Sequence, residues 1–198
     1  MHRPVLITPP ATSPVSLEEA KVHLRVEHGH EDGLIIGLIA TATELFDGWT
    51  GILGGRCLVE QVWRQDFDGF ARVLPLLLGP VIGITSATWR NAAGQIATVN
   101  SSDYGLKTDP AGRSYLRFKD GFSFPSDLYE TGAVAVTYSA GYPTVGGMST
   151  IPVALKQAML QLIAYWYDHR AAVVVGTTPS EMPFSVAAMI TPYRWLRV

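Results

Sequence analysis

Residues 152–169 form the segment that most constrains the fold of this 198-residue chain. They predict a helix, because Pro152 suits a first helical turn and apolar residues recur at helical spacing. Its narrow polar strip consists of Gln157, Gln161 and Asp168. One side is apolar, and much of the back is covered by a second apolar set: Val153, Leu160, Ala164 and Tyr167. Since a helix that is apolar nearly all round is buried on both sides, we predict that this second set contacts a neighbouring subunit.

Two further helices are predicted nearer the N-terminus, over residues 16–27 and 32–50. The first opens with a capping box, in which Ser16 and Glu19 satisfy each other's backbone N–H groups. The second places its apolar residues on one face, which is typical of a helix that packs on a core. Asp32 is its predicted N-cap and Gly51 its predicted end.

The middle of the chain, residues 56–139, predicts strands and turns rather than helices. A turn at Asn91–Gly94 separates two strand-like runs, and residues 132–138 alternate larger and smaller apolar side chains. Residues 100–113 and 119–131 are rich in Gly, Ser, Asp and Pro and are therefore predicted to be loops.

These patterns together predict an α+β fold. It combines a helical bundle, with helices at about 16–27, 32–50 and 152–169, and a β-rich insertion at about 56–139. An extended C-terminal tail follows. We expect residues 1–198 to form a single domain. Within it we place a helical core at residues 16–50 and 151–170 and a β-rich insertion at residues 56–140. An apolar, aromatic docking tail occupies residues 183–198.

Composition argues against several classes of protein. Charged residues make up 16% of the chain and the net charge is −2, without the basic stripe of a tight nucleic-acid binder. The most hydrophobic run, residues 73–84, is interrupted by Pro and Gly and is too short to span a membrane. The N-terminus has no signal-peptide pattern. Cys57 is the single cysteine, so we expect no internal disulfide and a reducing compartment.

One cluster of side chains could in principle bind a metal ion. His23, His28 and His30 lie close in sequence to Glu31 and Asp32, which offers imidazoles and carboxylates. The spacing matches no familiar metal site, and a solvated helix end explains these residues equally simply. We favour the solvated helix end and keep a metal-dependent hydrolase as the less favoured alternative.

Other short motifs do not indicate catalysis. The glycine-rich segment 51–56 follows a helix and lacks the Lys-Ser/Thr of a phosphate-binding loop, so it is interpreted as a flexible connection. Ser139 lacks the flanking glycine pattern of a nucleophile elbow, since Thr137 occupies the first glycine position. We therefore predict no enzymatic activity, no cofactor and no metal.

The order of motifs along residues 16–194 is more informative than any one of them. The chain resembles the head–tail connector (adaptor) family of long-tailed phages and of phage-derived particles such as gene transfer agents. The motifs that carry this resemblance are, in order: Ser16-Leu17-Glu18-Glu19-Ala20-Lys21, Leu24-Arg25-Val26, Asp32 with the helix to Trp49, Thr50-Gly51, Arg56, Gln61, Trp63, Leu74-Pro75, Pro80-Val81, Val136-Thr137-Tyr138-Ser139-Ala140-Gly141-Tyr142, Ile151-Pro152, Leu155-Lys156, Ala158, Trp166-Tyr167-Asp168-His169-Arg170, Pro183 and Pro192-Tyr193-Arg194.

The resemblance implies a structural role in a particle neck. It implies a homo-oligomeric ring, usually twelve-fold, that lies beneath the portal, joins head to tail and passes double-stranded DNA through its channel, after assembly in the bacterial cytoplasm. A C-terminal segment would bind the portal, here through Pro192, Tyr193, Arg194, Trp195 and Leu196. Other neck proteins, the stopper and the tail terminator, are implied neighbours, and either of those roles is an alternative for this chain itself.

Overall fold

The computed structural model describes residues 2–146, 148–169 and 183–195, and it divides the chain into two compact units. Unit 1 comprises Met1–Ala11 and Val59–Pro143, and unit 2 comprises Thr12–Leu58 and Thr144–Val198. The described helices of four or more residues all lie in unit 2, and the larger sheets lie in unit 1. This confirms the predicted α+β class. Among the described residues, no helix has the length and apolar character needed to cross a membrane.

Unit 1 consists of two antiparallel sheets. The five-stranded sheet has the order β1-β2-β8-β4-β5, with these strands: β1 Val5–Thr8, β2 Gln61–Phe67, β4 Val81–Arg90, β5 Ile96–Thr98 and β8 Val134–Ala140. The three-stranded sheet has the order β3-β7-β6, with these strands: β3 Val73–Pro75, β6 Tyr104–Thr108 and β7 Ser114–Phe118. A short 3-10 turn, Ser101–Asp103, precedes β6. The core side of β8 carries Val134, Val136 and Tyr138, all fully buried, as the alternation predicts.

Two strands of unit 1 differ from the sequence-based prediction. β1 pairs with β2 through Val5 opposite Arg64, and its residues Val-Leu-Ile-Thr are typical of a strand, although no strand is predicted there. β6 lies inside the segment 100–113, which the Gly, Ser and Asp content predicts to be a loop. β1 forms because β2, which is distant in sequence, supplies its hydrogen bonds. β6 forms because it pairs with the next strand, β7, and this pairing overrides the loop-like composition of the segment around it. The turn at Asn91–Gly94 is confirmed, since the Asn91 N–H donates to Gln95 O at 3.0 Å.

A buried glutamine joins the five-stranded sheet to the segment that follows β3. The Gln65 side chain is fully buried; its Nε2 donates to Pro75 O at 3.0 Å, and its Oε1 accepts from the Leu77 N–H at 3.0 Å. Tyr138 Oη approaches the same Oε1 at 3.4 Å. A buried amide without partners is unfavourable by about 1–3 kcal/mol, so these contacts fix the path of residues 75–77 as well as satisfying Gln65.

An exposed carboxylate makes unit 1 sensitive to acid. The Gly132 N–H at 3.0 Å and the His2 imidazole at 2.7 Å hold the pKa of Asp68 well below its usual 3.8. A depressed pKa contributes stability above the ordinary value, and the contribution shrinks as the pH falls toward the folded-state pKa. We expect Asp68→Asn to lower the urea midpoint at neutral pH, with a gap to wild type that narrows below pH 3.8. Asp127→Asn, at an exposed loop position, is the control; a gap independent of pH would contradict the assignment.

In its described residues, unit 2 contains four α-helices and a short hairpin. Their bounds are as follows: α1 Leu17–Leu24, α2 Asp32–Phe46, β9 Thr144–Val145, β10 Met148–Ser149, α3 Val153–Asp168 and α4 Phe184–Ile190. Helix α3 packs against α1, α2 and α4. The apolar core of these helices is fully or almost fully buried: Ala20, Ile35, Ile39, Ala42, Phe46, Leu155, Ala158, Met159, Leu162, Ile163, Val186 and Ile190.

The capping box predicted for α1 is confirmed. The Glu19 N–H donates to Ser16 Oγ at 3.1 Å, and the Ser16 N–H donates to Glu19 Oε2 at 2.9 Å. The helix ends at Leu24 rather than near residue 27, because Arg25 takes a left-handed conformation with φ of 57°. Such a residue closes a helix by satisfying its last carbonyls.

Helix α2 is shorter than the predicted 32–50. Asp32 is its first helical residue rather than its N-cap, and the chain leaves the helix after Phe46. The structure ends it at Asp47, whose carboxylate accepts the Leu58 N–H at 2.5 Å, and at Gly48, whose φ is 67°. The earlier Asp-Gly pair therefore ends the helix before Gly51 is reached. Helix α3 agrees with the predicted 152–169 to within one residue at each end.

The structure corrects the prediction of an extended C-terminal tail. Phe184–Ile190 forms α4, and a 3-10 turn, Thr191–Tyr193, follows it directly. Val186 and Ile190 lie four residues apart, so they share one face of the helix, and both are buried. The apolar residues that mark this segment as a docking tail are thus used in part for packing on α3.

Candidate docking interface

The C-terminal segment, residues 191–195, lies on the glycine-rich loop that follows α2. The Trp195 N–H donates to Leu53 O at 2.9 Å. The Arg56 guanidinium lies 4.5 Å from the centre of the Trp195 ring and 6.0 Å from that of Tyr193, and its Nε donates to the Tyr193 carbonyl. Cation–π contacts of this kind contribute about 0.5–2 kcal/mol. One arginine therefore holds the two aromatic residues of the segment and its backbone.

Gly54 makes this close contact possible. Its φ is +76°, and a Cβ at this position would lie 2.0 Å from the carbonyl oxygen of Trp195. No other residue type fits without moving the backbone of the C-terminal segment. The sequence predicts residues 51–56 to be a flexible connection, whereas in the structure residues 193–195 pack on them. Only the chain reversal that brings Trp195 to Leu53, more than a hundred residues away in sequence, reveals this role.

The predicted portal-binding residues fall into three groups. Pro192 and Arg194 are exposed, while Tyr193 and Trp195 are half-buried against the loop. Leu196 lies outside the described residues. Because the half-buried pair is fixed from beneath by Arg56, the two exposed side chains are presented outward on a segment of defined conformation. Pre-organisation of this kind reduces the entropy lost on binding.

The predicted subunit-interface residues of α3 differ in exposure. Val153 is 83% exposed, whereas Leu160, Ala164 and Tyr167 are half-buried. The Tyr167 hydroxyl donates to the Glu31 carboxylate within unit 2. Helix α4 also packs on α3, so part of the α3 surface is covered within its own chain. Their contact with a neighbouring subunit stays a prediction, and Val153 is the member of the set most accessible to a partner.

The histidine cluster is not arranged as a metal site. Asp32 Oδ1 lies 2.6 Å from Lys21 Nζ, and the Glu31 carboxylate accepts the Tyr167 hydroxyl, so both carboxylates already bind other groups. The rings of His28 and His30 have centroids 5.6 Å apart and pack on each other. Within residues 2–146, 148–169 and 183–195, no group of three His, Cys, Asp or Glu side chains is gathered for a metal ion. The described residues therefore offer no support for the metal-dependent hydrolase alternative.

Comparisons with known proteins identify similar folds rather than similar sequences. No protein-family model matches the chain. The search of curated proteins gives no match either.

Solved structures of gene transfer agent particles contain chains of similar fold. A chain from the neck of an empty gene transfer agent (GTA) particle, computed with C6 symmetry, matches with a TM-score of 0.76 and 24% identity, covering 100% of this chain and 97% of that one. A chain from the virion of a native GTA particle gives 0.70 at 22% identity, covering 98% and 97%. A chain from the neck of a native GTA particle, computed with C12 symmetry, gives 0.65 at 22% identity, covering 98% and 97%. The resemblance to proteins of phage-derived particles is thus confirmed at the level of the fold, with the neck of such a particle named for two of the three chains.

Proposed function

We propose that this chain is a structural adaptor subunit in the neck of a phage-like particle, where it joins head to tail. The observation that carries the proposal is the match to a chain from a GTA neck, with a TM-score of 0.76 over 100% of this chain and 97% of the other. The order of sequence motifs from Ser16 to Arg194 supports the same role independently.

The adaptor forms a homo-oligomeric ring, and twelve copies is the number we propose. The neck structures that contain similar chains are computed with C6 and C12 symmetry, which supports a cyclic arrangement. A ring uses heterologous contacts, in which two different patches of each subunit meet. Val153 and Phe184 are suited to such contacts, because they are apolar, lie in unit 2 and are 83% and 87% exposed.

The C-terminal segment binds the portal, and double-stranded DNA passes through the channel of the ring. The exposed pair Pro192 and Arg194 supports the first statement, since arginine is enriched at protein interfaces. The stopper and the tail terminator are the proposed neighbours on the tail side. No step of this role requires a cofactor, a metal or catalysis.

The decisive experiment is imaging of the particle neck at side-chain resolution, together with native mass spectrometry of the isolated neck. We expect a ring of this chain in direct contact with the portal. A pull-down with purified portal protein distinguishes the alternatives, because a stopper or tail terminator would be retained by other neck or tail proteins instead. Particles that contain a neck without this chain would refute the proposal.

A further inference from the structure

The cationic side chains of unit 1 are concentrated in one part of its sequence. Residues 69–125 carry six Lys or Arg and three Asp, for a net charge of +3, although the whole chain has −2. In sequence these cations are scattered and form no basic run. The fold brings three of them, Lys107, Arg117 and Lys119, to one hollow of about 350 Å³, which Asp120 also lines. We call these three residues the cationic face.

The register of β6 and β7 explains why the cationic face is open. Along β7, Leu116 and Phe118 are buried, so the alternate residue Arg117 points outward. Gly105 is directly opposite Arg117 on β6, and a Cβ on Gly105 would meet nothing within 4 Å. Lys107 is two residues further along the outward side of β6. The guanidinium and the two ammonium groups therefore surround a position where no side chain rises from the sheet.

The charges of this face are largely uncompensated. Arg117 makes an ion pair with Asp120 at 3.2 Å, in which the two side chains are 49% and 82% exposed. A pair so exposed contributes about 1 kcal/mol at most and opens readily. Lys107 and Lys119 form no ion pair with any residue that the structure describes. A ligand with several anionic groups at short spacing is the natural complement of such a surface.

We propose that the cationic face binds the phosphate backbone of duplex DNA, weakly and without regard to sequence. Lysine and arginine contact phosphates in this way, whereas lysine is depleted at protein–protein interfaces, which favours DNA over an acidic protein surface. Three phosphate contacts per subunit are too few to hold DNA tightly, and contact of this kind allows the duplex to slide. The inference rests on the proposed function in one respect, namely that DNA passes this subunit in the neck.

Fluorescence anisotropy of a labelled, mixed-sequence duplex with the full chain tests this inference. Between about 50 and about 200 mM salt, we expect log K to fall against log salt with a slope of about −3, since each neutralised phosphate contributes about −0.9. Lys107→Gln and Lys119→Gln are each expected to reduce the slope by about 1. Arg64→Gln is the matched control, because Arg64 is an exposed cation of the same unit on β2. Equal thermal midpoints establish that the variants are folded.

Three outcomes would overturn the inference. The lysine variants could bind DNA as wild type does, the Arg64 control could lose as much affinity, or a polyglutamate peptide could bind where DNA does not. The last outcome would assign the face to an acidic protein. Incorporation of the double lysine variant into particles separates the two proposals. A normal neck with lost DNA binding supports both proposals, whereas a wild-type chain that binds DNA but never enters a neck refutes the adaptor role alone.

Discussion

Replacing Gly54 with alanine is expected to lower the free energy of unfolding of unit 2 by about 3 kcal/mol. Two effects add at this position. A left-handed backbone disfavours any Cβ by about 1–2 kcal/mol. The new methyl group would also lie 2.0 Å from the Trp195 carbonyl oxygen, so residues 193–195 must leave the loop. Loss of the contacts between Arg56 and the aromatic pair would follow.

Urea unfolding of the two proteins measures this effect, and limited proteolysis locates it at the C-terminus. Gly146→Ala is the matched control, because Gly146 belongs to unit 2 and has a positive φ of +59°, but a Cβ there would meet nothing within 4 Å. The control isolates the backbone term, and we expect it to lower stability by about 1–2 kcal/mol. An equal loss in both variants would mean that the close approach of Trp195 to the loop contributes nothing.

Reversing the charge of the exposed Arg194 should abolish most portal binding without unfolding the chain. A central interface residue contributes about 2 kcal/mol or more, so Arg194→Glu is expected to weaken binding at least about thirty-fold. The change in folding free energy should stay within about 0.5 kcal/mol, because the side chain is on the surface. Titration of purified portal with the variant measures the first quantity, and urea unfolding measures the second.

Arg25→Glu is the control for this experiment, since Arg25 is another exposed arginine of unit 2, at the end of α1. Deletion of residues 183–198 is a poorer probe, because it would remove Val186 and Ile190 from their packing on α3. If the Arg194 variant bound the portal with wild-type affinity, the proposed portal-binding surface would not lie on the C-terminal segment. The exposed Val153 and Phe184 would then be the next positions to test.

Local signals in the sequence predicted local structure well. The capping box of α1, the apolar stripe of α2 and the Asn91–Gly94 turn each depend on residues within a few positions of one another, and all are present in the structure. The strands β1 and β6 were not predicted in this way. The hydrogen-bond partner of β1 is distant in sequence, and β6 lies in a segment whose Gly, Ser and Asp content resembles that of a loop.

The candidate docking interface, too, was predictable from the sequence only in part. The aromatic and basic composition of residues 192–195 identifies them as unusual for a chain terminus, and the structure adds which of them are accessible. The loop that they contact was not predicted, because the segment around Gly54 and Arg56 carries only the pattern of a flexible turn. The cationic face was missed for a related reason. Lys107, Arg117 and Lys119 form a surface only after β6 and β7 pair.

The division of unit 2 into two stretches of sequence sets an order for synthesis on the ribosome. Helices α1 and α2 emerge first, but α3, on which they pack, begins only at Val153. At about 5–20 residues per second, the intervening hundred or so residues take roughly 5–20 s to translate. All of unit 1 is available before α3 exists. The β-rich unit can therefore fold while the nascent α1–α2 pair still exposes the apolar side chains of Ile35, Ile39 and Phe46 to solvent or to a chaperone.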